Sequence, residues 1–289
     1  MTQQTSPRQI VRDLGGEWLG SYGVAVCPVC QDGKSREKRA LSVMDKGGYP
    51  YITCFKGCSP ADVKRALGVG LSHKPKQRDP EAERDREAER LSRYEGAARK
   101  AENMLRKAVW KTHPYFAKKG FPDLDVPVLR LGDKNCAILP IKDLDGKLWN
   151  CQIVTEEGKK SFLKGGRLVG CGIKIGHQGR SMCVCEGFAT GLSIYKAFRD
   201  KGVDVTVWCA LTTAGIKGLP DAGIKGLVCA DRDEVRFPKR APKYGAGEWA
   251  ALKSACDYVM PPIEGDFNDL HLSRGLSAVY AAIRPALKL

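Results

Sequence analysis

Apolar and polar positions alternate with different periods along the chain, and the changes of period mark its organisation. Residues 40–44, "ALSVM", and 49–53, "YPYIT", flank "DKGG". Their Val, Ile and Tyr content and the paired glycines predict strand, turn and strand, with Pro50 suiting the second strand to a sheet edge. Residues 72–80, "SHKPKQRDP", read as a short joint. The chain then turns rich in Ala, Glu and Arg up to Trp110 without another proline, which predicts helix. Leu91, Tyr94, Ala98, Ala101, Leu105 and Ala108 recur every three or four positions, so one narrow stripe is expected to dock on the next domain of the chain. The first half of this helix reads equally well as a solvated spacer.

Between 126 and 180 the pattern becomes short β-type runs, "NCAILPIKD", "LWNCQIVT" and "KSFL", separated by the turn signals "LDGK" and "EEGKK". These predict a small, mostly antiparallel subdomain. From 181 the period alternates: "SMCVCEG", "VDVTVWCAL" and "IKGLVCAD" read as strands, each followed by a helical stretch. That is the pattern of βα units and a mainly parallel sheet. The expected fold is multidomain, α+β and α/β. Its divisions are a cysteine-bearing β domain at 1–71, a charged helical linker at 72–110, a basic β-rich subdomain at 111–180 and an α/β domain at 181–289.

The 289 residues, 43% of them hydrophobic, suffice for several cores. There is no apolar run of about 18 residues, and the start lacks the basic-then-apolar order of a signal peptide, so a cytoplasmic location with no membrane partner is expected. In such a reducing compartment the 12 cysteines bind metal or pack rather than pair. The formal charge of +15 implies a polyanionic partner, and its distribution is uneven. Lys and Arg outnumber Asp and Glu 13 to 7 in residues 1–79 and again 13 to 7 in 111–180, but only 8 to 7 in 80–110 and 14 to 12 in 181–289. Solubility gives no reason for that segregation, whereas nucleic-acid binding does.

Two cysteine pairs, "CPVC" and "CFKGC", stand 23 residues apart. Each pair can form one knuckle, and Cys27, Cys30, Cys54 and Cys58 would fill the tetrahedral shell of one zinc ion with thiolate, a structural site. Arg36, Lys38 and Arg39, with Lys46 and Lys56, are interleaved with Tyr49, Tyr51 and Phe55. Cations that track phosphates and rings that stack on bases suit a reader of single-stranded nucleic acid, but the rings serve equally as the hairpin's own core. Cys183 and Cys185 share a strand face and read as small buried hydrophobes.

The acids of the last segment gather at strand ends. "SMCVCE" ends at Glu186, "GLVCAD" ends at Asp231 with Asp233 two residues on, and "GDFND" offers Asp266, Asn268 and Asp269. In open parallel sheets the functional crevice lies beyond the carboxyl ends of the strands, which would bring these residues together. Carboxylates so placed repel unless some protonate or a cation sits among them, and oxygen donors without histidine favour Mg²⁺ or Mn²⁺. A lone D-x-D at a strand end is often only a turn or a helix cap.

"VCEGFATGLSIY", "VCADRDE" and "GDFNDL" together resemble the Toprim domain shared by DnaG-type primases, topoisomerases and some nucleases. With the cysteine ribbon before them, and with "HPYFAKKGF", "AILPIKDLDGKL" and "KSFLKGG", they resemble the primases of bacteriophages and mobile elements. The resemblance implies a DNA-dependent RNA primase that makes short primers on single-stranded DNA from ribonucleoside triphosphates, in a bacterial host cell. It implies one structural zinc and one to three Mg²⁺ or Mn²⁺ ions. Glu186 matches the glutamate of the first motif, Asp231 and Asp233 the D-x-D, and Asp266 the first acid of the third, as metal ligands and catalytic groups. Lys142, Lys159, Lys160, Lys164 and Arg167 would hold template or triphosphate, and Arg236, Lys239, Arg240 and Lys243 the nucleotide's phosphates or only solvent. The chain departs from the pattern in its all-cysteine ligand set and in Asn268, where a second carboxylate is often found. No G-x-x-x-x-G-K-[ST] occurs, so unwinding falls to a separate helicase. A recombination mediator of the RecR type, which joins a zinc knuckle to a Toprim fold without chemistry, and a Toprim nuclease or topoisomerase are the competing readings.

Overall fold

The computed structural model describes residues 6–31, 39–46, 49–68, 80–176, 181–234 and 244–287. The chain forms two compact units, 1–80 and 81–289. In the first, α1 (Pro7–Asp13), β1 (Glu17–Leu19), β2 (Tyr22–Ala25), β3 (Leu41–Lys46), β4 (Tyr49–Cys54) and α2 (Pro60–Ala66) succeed one another. The strands make one antiparallel sheet in sequence order, so β4 with its Pro50 is an edge as expected. The turn at Gly47 and Gly48 and the joint at 72–79 lie outside the described residues. Both helices begin alike: Ser6 and Ser59 accept the backbone N–H three residues on, and a proline fills the first helical position. Ile10, Val11, Leu41, Val43, Ile52 and Val63 are the buried core.

The second unit opens with α3 (Pro80–Lys107), then β5 (Val109–Thr112), α4 (Pro114–Lys118), β6 (Asp125–Leu131), β7 (Lys134–Lys142), β8 (Leu148–Thr155) and β9 (Lys160–Phe162). The five strands pair antiparallel in sequence order, the meander that the turn signals predict. The apolar stripe of α3 differs from expectation in three places, the first being that the helix ends at Lys107 and leaves Ala108 outside it, with Val109 and Trp110 already in β5. Leu91 is exposed, and Ala97 rather than Ala98 is fully buried, because the covered face runs Tyr94, Ala97, Ala101, Met104 and Leu105 at helical spacing. Before Tyr94 the described side chains from Glu83 to Arg93 are exposed.

The chain continues with β10 (Ile173–Ile175), β11 (Ser181–Cys185), α5 (Phe188–Arg199), β12 (Val205–Cys209), α6 (Thr213–Lys217), β13 (Leu227–Cys229), α7 (Ala246–Lys253), β14 (Tyr258–Val259), α8 (Phe267–Arg274) and α9 (Leu276–Ile283). The sheet order is β10-β12-β11-β13-β14, with the last four strands parallel and β10 antiparallel at one edge. From β11 the chain crosses to β12 on one side and from β12 to β13 on the other, so β11 is where the strand order reverses. A crevice opens at the carboxyl end of such a strand.

Alternation sends Cys183, Cys185, Cys209 and Cys229 to one sheet face and Val184, Trp208 and Val228 to the other. The four cysteines are buried and unbridged, as small hydrophobes. Their size serves a close approach: a methyl group added at Gly191 of α5 would collide with Cys209 Sγ and lie 3.0 Å from Ile175 Cδ1. Gly191→Ala is therefore expected to destabilise the second unit by about 2 kcal/mol, read as a lower urea midpoint.

Candidate functional site

Cys27 and Cys30 sit just after β2, Cys54 closes β4 and Cys58 precedes α2. Their four Sγ atoms all lie within 4.8 Å of one another, with Cys30 and Cys54 3.6 Å apart. Four sulfurs bound to one zinc at about 2.3 Å would stand about 3.8 Å apart, so the set fits that ion with little movement. Burial pushes the Cys54 thiol up, but hydrogen bonds from the N–H groups of Cys58 and Lys56 and from the Cys27 and Cys30 thiols together outweigh burial and bring it down to about 7. One ligand is thus close to its thiolate form at neutral pH. Gln31, which no motif or spacing singles out, accepts through Oε1 from the N–H of Cys27 and of Ala40, both at 2.9 Å. It ties the first knuckle to the start of β3.

The ribbon's rings do not form its core. Tyr49 and Tyr51 point to the exposed face of β4, and Tyr22, across β3 from Tyr51 through Met44, extends the same face. Arg39 is paired with Glu17 at 2.9 Å. Arg36 and Lys38 lie outside the described residues.

At the carboxyl edge of the parallel sheet, Glu186 follows β11 directly and Asp231 follows β13 by two residues. Asp233 accepts the N–H of Gly247 at 2.7 Å and so caps α7. Asp266 is the N-cap of α8: Oδ1 accepts the N–H of Asn268 at 2.6 Å and of Asp269 at 2.9 Å, while Oδ2 accepts from Thr190 Oγ1 at 2.9 Å. Asp269 completes the capping box by accepting the N–H of Asp266 at 3.0 Å. The helix-cap role that a D-x-D often has is thus real for Asp233, and for Asp266 as well. It orients a carboxylate without consuming it, since each oxygen has more than one acceptor site.

Asp231 is different. Its Oδ1 is buried and has no hydrogen-bond partner. Burial first, then the charges of Asp266, Glu186, Asp233 and Asp269, push its carboxyl from 3.8 up to about 8. Glu186 is raised by burial and by Asp233, against the opposing pull of Lys160. Four acids therefore act on Asp231 across the crevice. Among the described residues only the cysteine set brings three or more ligating side chains within 4.8 Å of one another, so the acids ring a wider space than the thiols do. An orphaned buried carboxyl oxygen in an all-oxygen ring suits a hard divalent cation.

The basic residues divide. Lys160 acts on Glu186 and stands 5.8 Å from the Tyr115 ring centroid. Lys142, Lys159 and Lys164 are exposed, Lys142 at the end of β7 beside the start of β8, and Lys159 and Lys164 on either side of β9. Arg167 is engaged elsewhere: its guanidinium lies 5.1 Å from the Trp149 ring centroid and its Nε donates to the Val169 carbonyl at 3.0 Å. Arg236, Lys239, Arg240 and Lys243 lie outside the described residues. Lys119 is an addition, with its ammonium 4.0 Å from Asp269 Oδ1. Only the acid-rich "GDFND" hinted at Asp269, and nothing local pointed to Thr190, Gly247 or Lys119.

This sheet, with acids at its switch point, is a Toprim domain: the Toprim family model matches residues 181–277, a span that contains Glu186, Asp231, Asp233 and Asp266. Over 221 residues the chain is 26% identical to the DNA primase TraC of Escherichia coli, a match that takes in 67% of this chain and 21% of that one. The chain thus spans about a fifth of that relative's length. Among solved structures it is similar to the primase fragment of the bacteriophage T7 primase-helicase protein, at 13% identity and a TM-score of 0.42, over 59% of this chain and 69% of that one. It is also similar to the Aquifex aeolicus primase, zinc-binding and RNA polymerase domains, at 14% identity and a TM-score of 0.34, over 99% and 86% of the two chains. No described helix is long and apolar enough to cross a membrane.

The charges of these sites have two measurable consequences. A raised acid pKa means that the folded state holds a proton the unfolded chain has lost, so stability falls as pH rises from about 4 to about 8. Asp231→Asn should then raise the metal-free melting temperature by about 5 °C near pH 8 and hardly at all near pH 4, and millimolar Mg²⁺ should stabilise the parent but not the variant. In the first unit, whose core is small, a zinc chelator should abolish cooperative unfolding and near-UV ellipticity while the second unit keeps its own transition.

Proposed function

We propose that the chain is a DNA-dependent RNA primase, joining ribonucleotides on single-stranded DNA by divalent-metal-dependent nucleotidyl transfer. The observation that carries this reading is the buried, unpartnered Oδ1 of Asp231, with Glu186, Asp233 and Asp266 close enough to act on its carboxyl at the edge where the sheet order reverses. The relationship to a DNA primase at 26% identity supports the choice of reaction.

Bound Mg²⁺ or Mn²⁺ would supply a lowered pKa for the attacking 3′-hydroxyl and neutralise charge on the transferring phosphoryl group. Asp231, Asp233 and Asp266 would hold it. The first turn of α8 and Thr190 keep Asp266 oriented, and Gly247 does the same for Asp233. Glu186, whose carboxyl is raised by burial and by Asp233, would take the hydroxyl proton as the 3′-oxygen bonds to the α-phosphate of the incoming nucleotide and pyrophosphate leaves. Lys160 beside it, with Lys142, Lys159 and Lys164 along the antiparallel sheet, would bind template and triphosphate. In the first unit the outward rings of Tyr22, Tyr49 and Tyr51 offer template bases a stacking surface, and zinc holds that surface in shape.

Incubation with single-stranded DNA, Mg²⁺ and labelled ribonucleotides should yield short oligoribonucleotides from the parent and none from Asp231→Ala. No product across varied templates and metals, or nicking of supercoiled DNA instead, would overturn the reading. Cys54→Ser should abolish template-dependent initiation while the second unit stays folded, and unchanged initiation would remove the ribbon from template reading.

A further inference from the structure

Asn268 occupies the second position of α8, between the two acids of the capping box, and contributes nothing through its side chain to that cap. It turns inward and is fully buried. Its Nδ2 donates to the main-chain carbonyl of Lys119 at 2.8 Å and to Ser193 Oγ of α5 at 3.0 Å. Ser193 Oγ in turn lies 3.1 Å from His271 Nδ1, and the His271 ring packs on Phe121. Between these contacts Gly120 adopts φ +88, and a methyl group there would come within 2.8 Å of the His271 ring. A strap, residues 113–121, is thereby laced to α5 and α8 at Lys119 and the two residues after it.

A buried polar network of this kind is a poor way to add stability, because well-packed apolar groups of the same shape do as well. What the network does supply is a fixed position. The carbonyl it grips belongs to the residue whose ammonium stands 4.0 Å from Asp269 Oδ1 at the rim of the acid ring. A lysine side chain loses substantial rotamer freedom when held at one place, and a fixed backbone reduces how much more must be lost.

We propose that Asn268 is a positioning residue: its carboxamide anchors the Lys119 main chain to α8 and so sets the Lys119 ammonium as a cationic wall of the acid pocket, on the path of an incoming triphosphate. The departure from a second carboxylate at this place is then a change of job, from facing the cation to holding a lysine. This rests on the proposed function for its substrate, but not for its geometry.

The test is a cycle of Asn268→Leu, Lys119→Ala and the double variant, read three ways. In metal-free protein, hydrogen exchange over residues 113–121 should quicken about tenfold in Asn268→Leu for the loss of one buried bond, with α5 protected as before. A lysine near the acids opposes a bare cation and attracts a triphosphate. Mn²⁺ should therefore bind about twofold tighter to either single variant, and the double variant should match Lys119→Ala. The ribonucleotide KM should move the opposite way, rising about fivefold in either variant, again without addition in the double.

General damage to the fold would weaken Mn²⁺ and nucleotide together, and that result would overturn the inference, as would additivity or unchanged exchange. Should the leucine variant not fold, Asn268→Ser, too short to reach the carbonyl, takes its place in the cycle. If the parent makes no primers but the exchange and Mn²⁺ results hold, the primase reading fails and the positioning role stands. If primers form while exchange and Mn²⁺ binding are untouched in the variant, the positioning role fails alone.

Discussion

Asp231 carries a carboxyl oxygen that is buried, without a partner, and surrounded by other acids. An uncompensated group of that kind is costly to keep ionised, and much of the second unit can be understood from how the cost is contained. The parallel strands bring Glu186 and Asp231 to one edge because β11 is central and β13 lies beside it. The remaining acids arrive on helix N-termini, where unpaired N–H groups stabilise negative charge. Asp233 rests on α7 and Asp266 on α8, each held by backbone N–H groups before any cation is considered. The residual repulsion falls on Asp231, and its carboxyl is the one driven furthest.

The first unit meets a related problem with different atoms. Four thiols within 4.8 Å of one another would repel strongly as thiolates, and their protons are held unevenly: Cys54 is lowered by backbone donors while burial raises Cys30. A divalent ion relieves that repulsion directly, and in so small a unit it would take over work that apolar packing cannot do. The acid ring, wider and all oxygen, offers instead the donor type that suits a hard cation.

The two sheets of the second unit are joined by more than proximity in sequence. The paired backbone bonds between Lys142 and Gly172, at 2.8 and 2.9 Å, lead from the antiparallel meander into β10, which closes the edge of the parallel sheet. From the other side the 113–121 strap reaches α8 through Asn268. The basic surface is thereby tied to the acidic edge at two places, and opposite charges stay at defined separations.

The sequence by itself determined the features whose causes are local. The β3–β4 hairpin, the long helix after Pro80, the turns of the antiparallel meander and the βα alternation all arise from periodicity and turn residues within a few positions of one another. Thiols spaced for knuckles and acids placed at the ends of apolar runs are local signals too. Tertiary structure decided the rest. Ile173–Ile175 is too short to announce that it joins the parallel sheet, Arg167 stacks on a tryptophan 18 positions away, and Tyr22 aligns with Tyr51 only through strand register. Asn268 could have faced the acids or the core. Its direction was settled by a carbonyl 149 residues distant and a hydroxyl 75 residues distant, contacts that exist only after folding brings those backbones together.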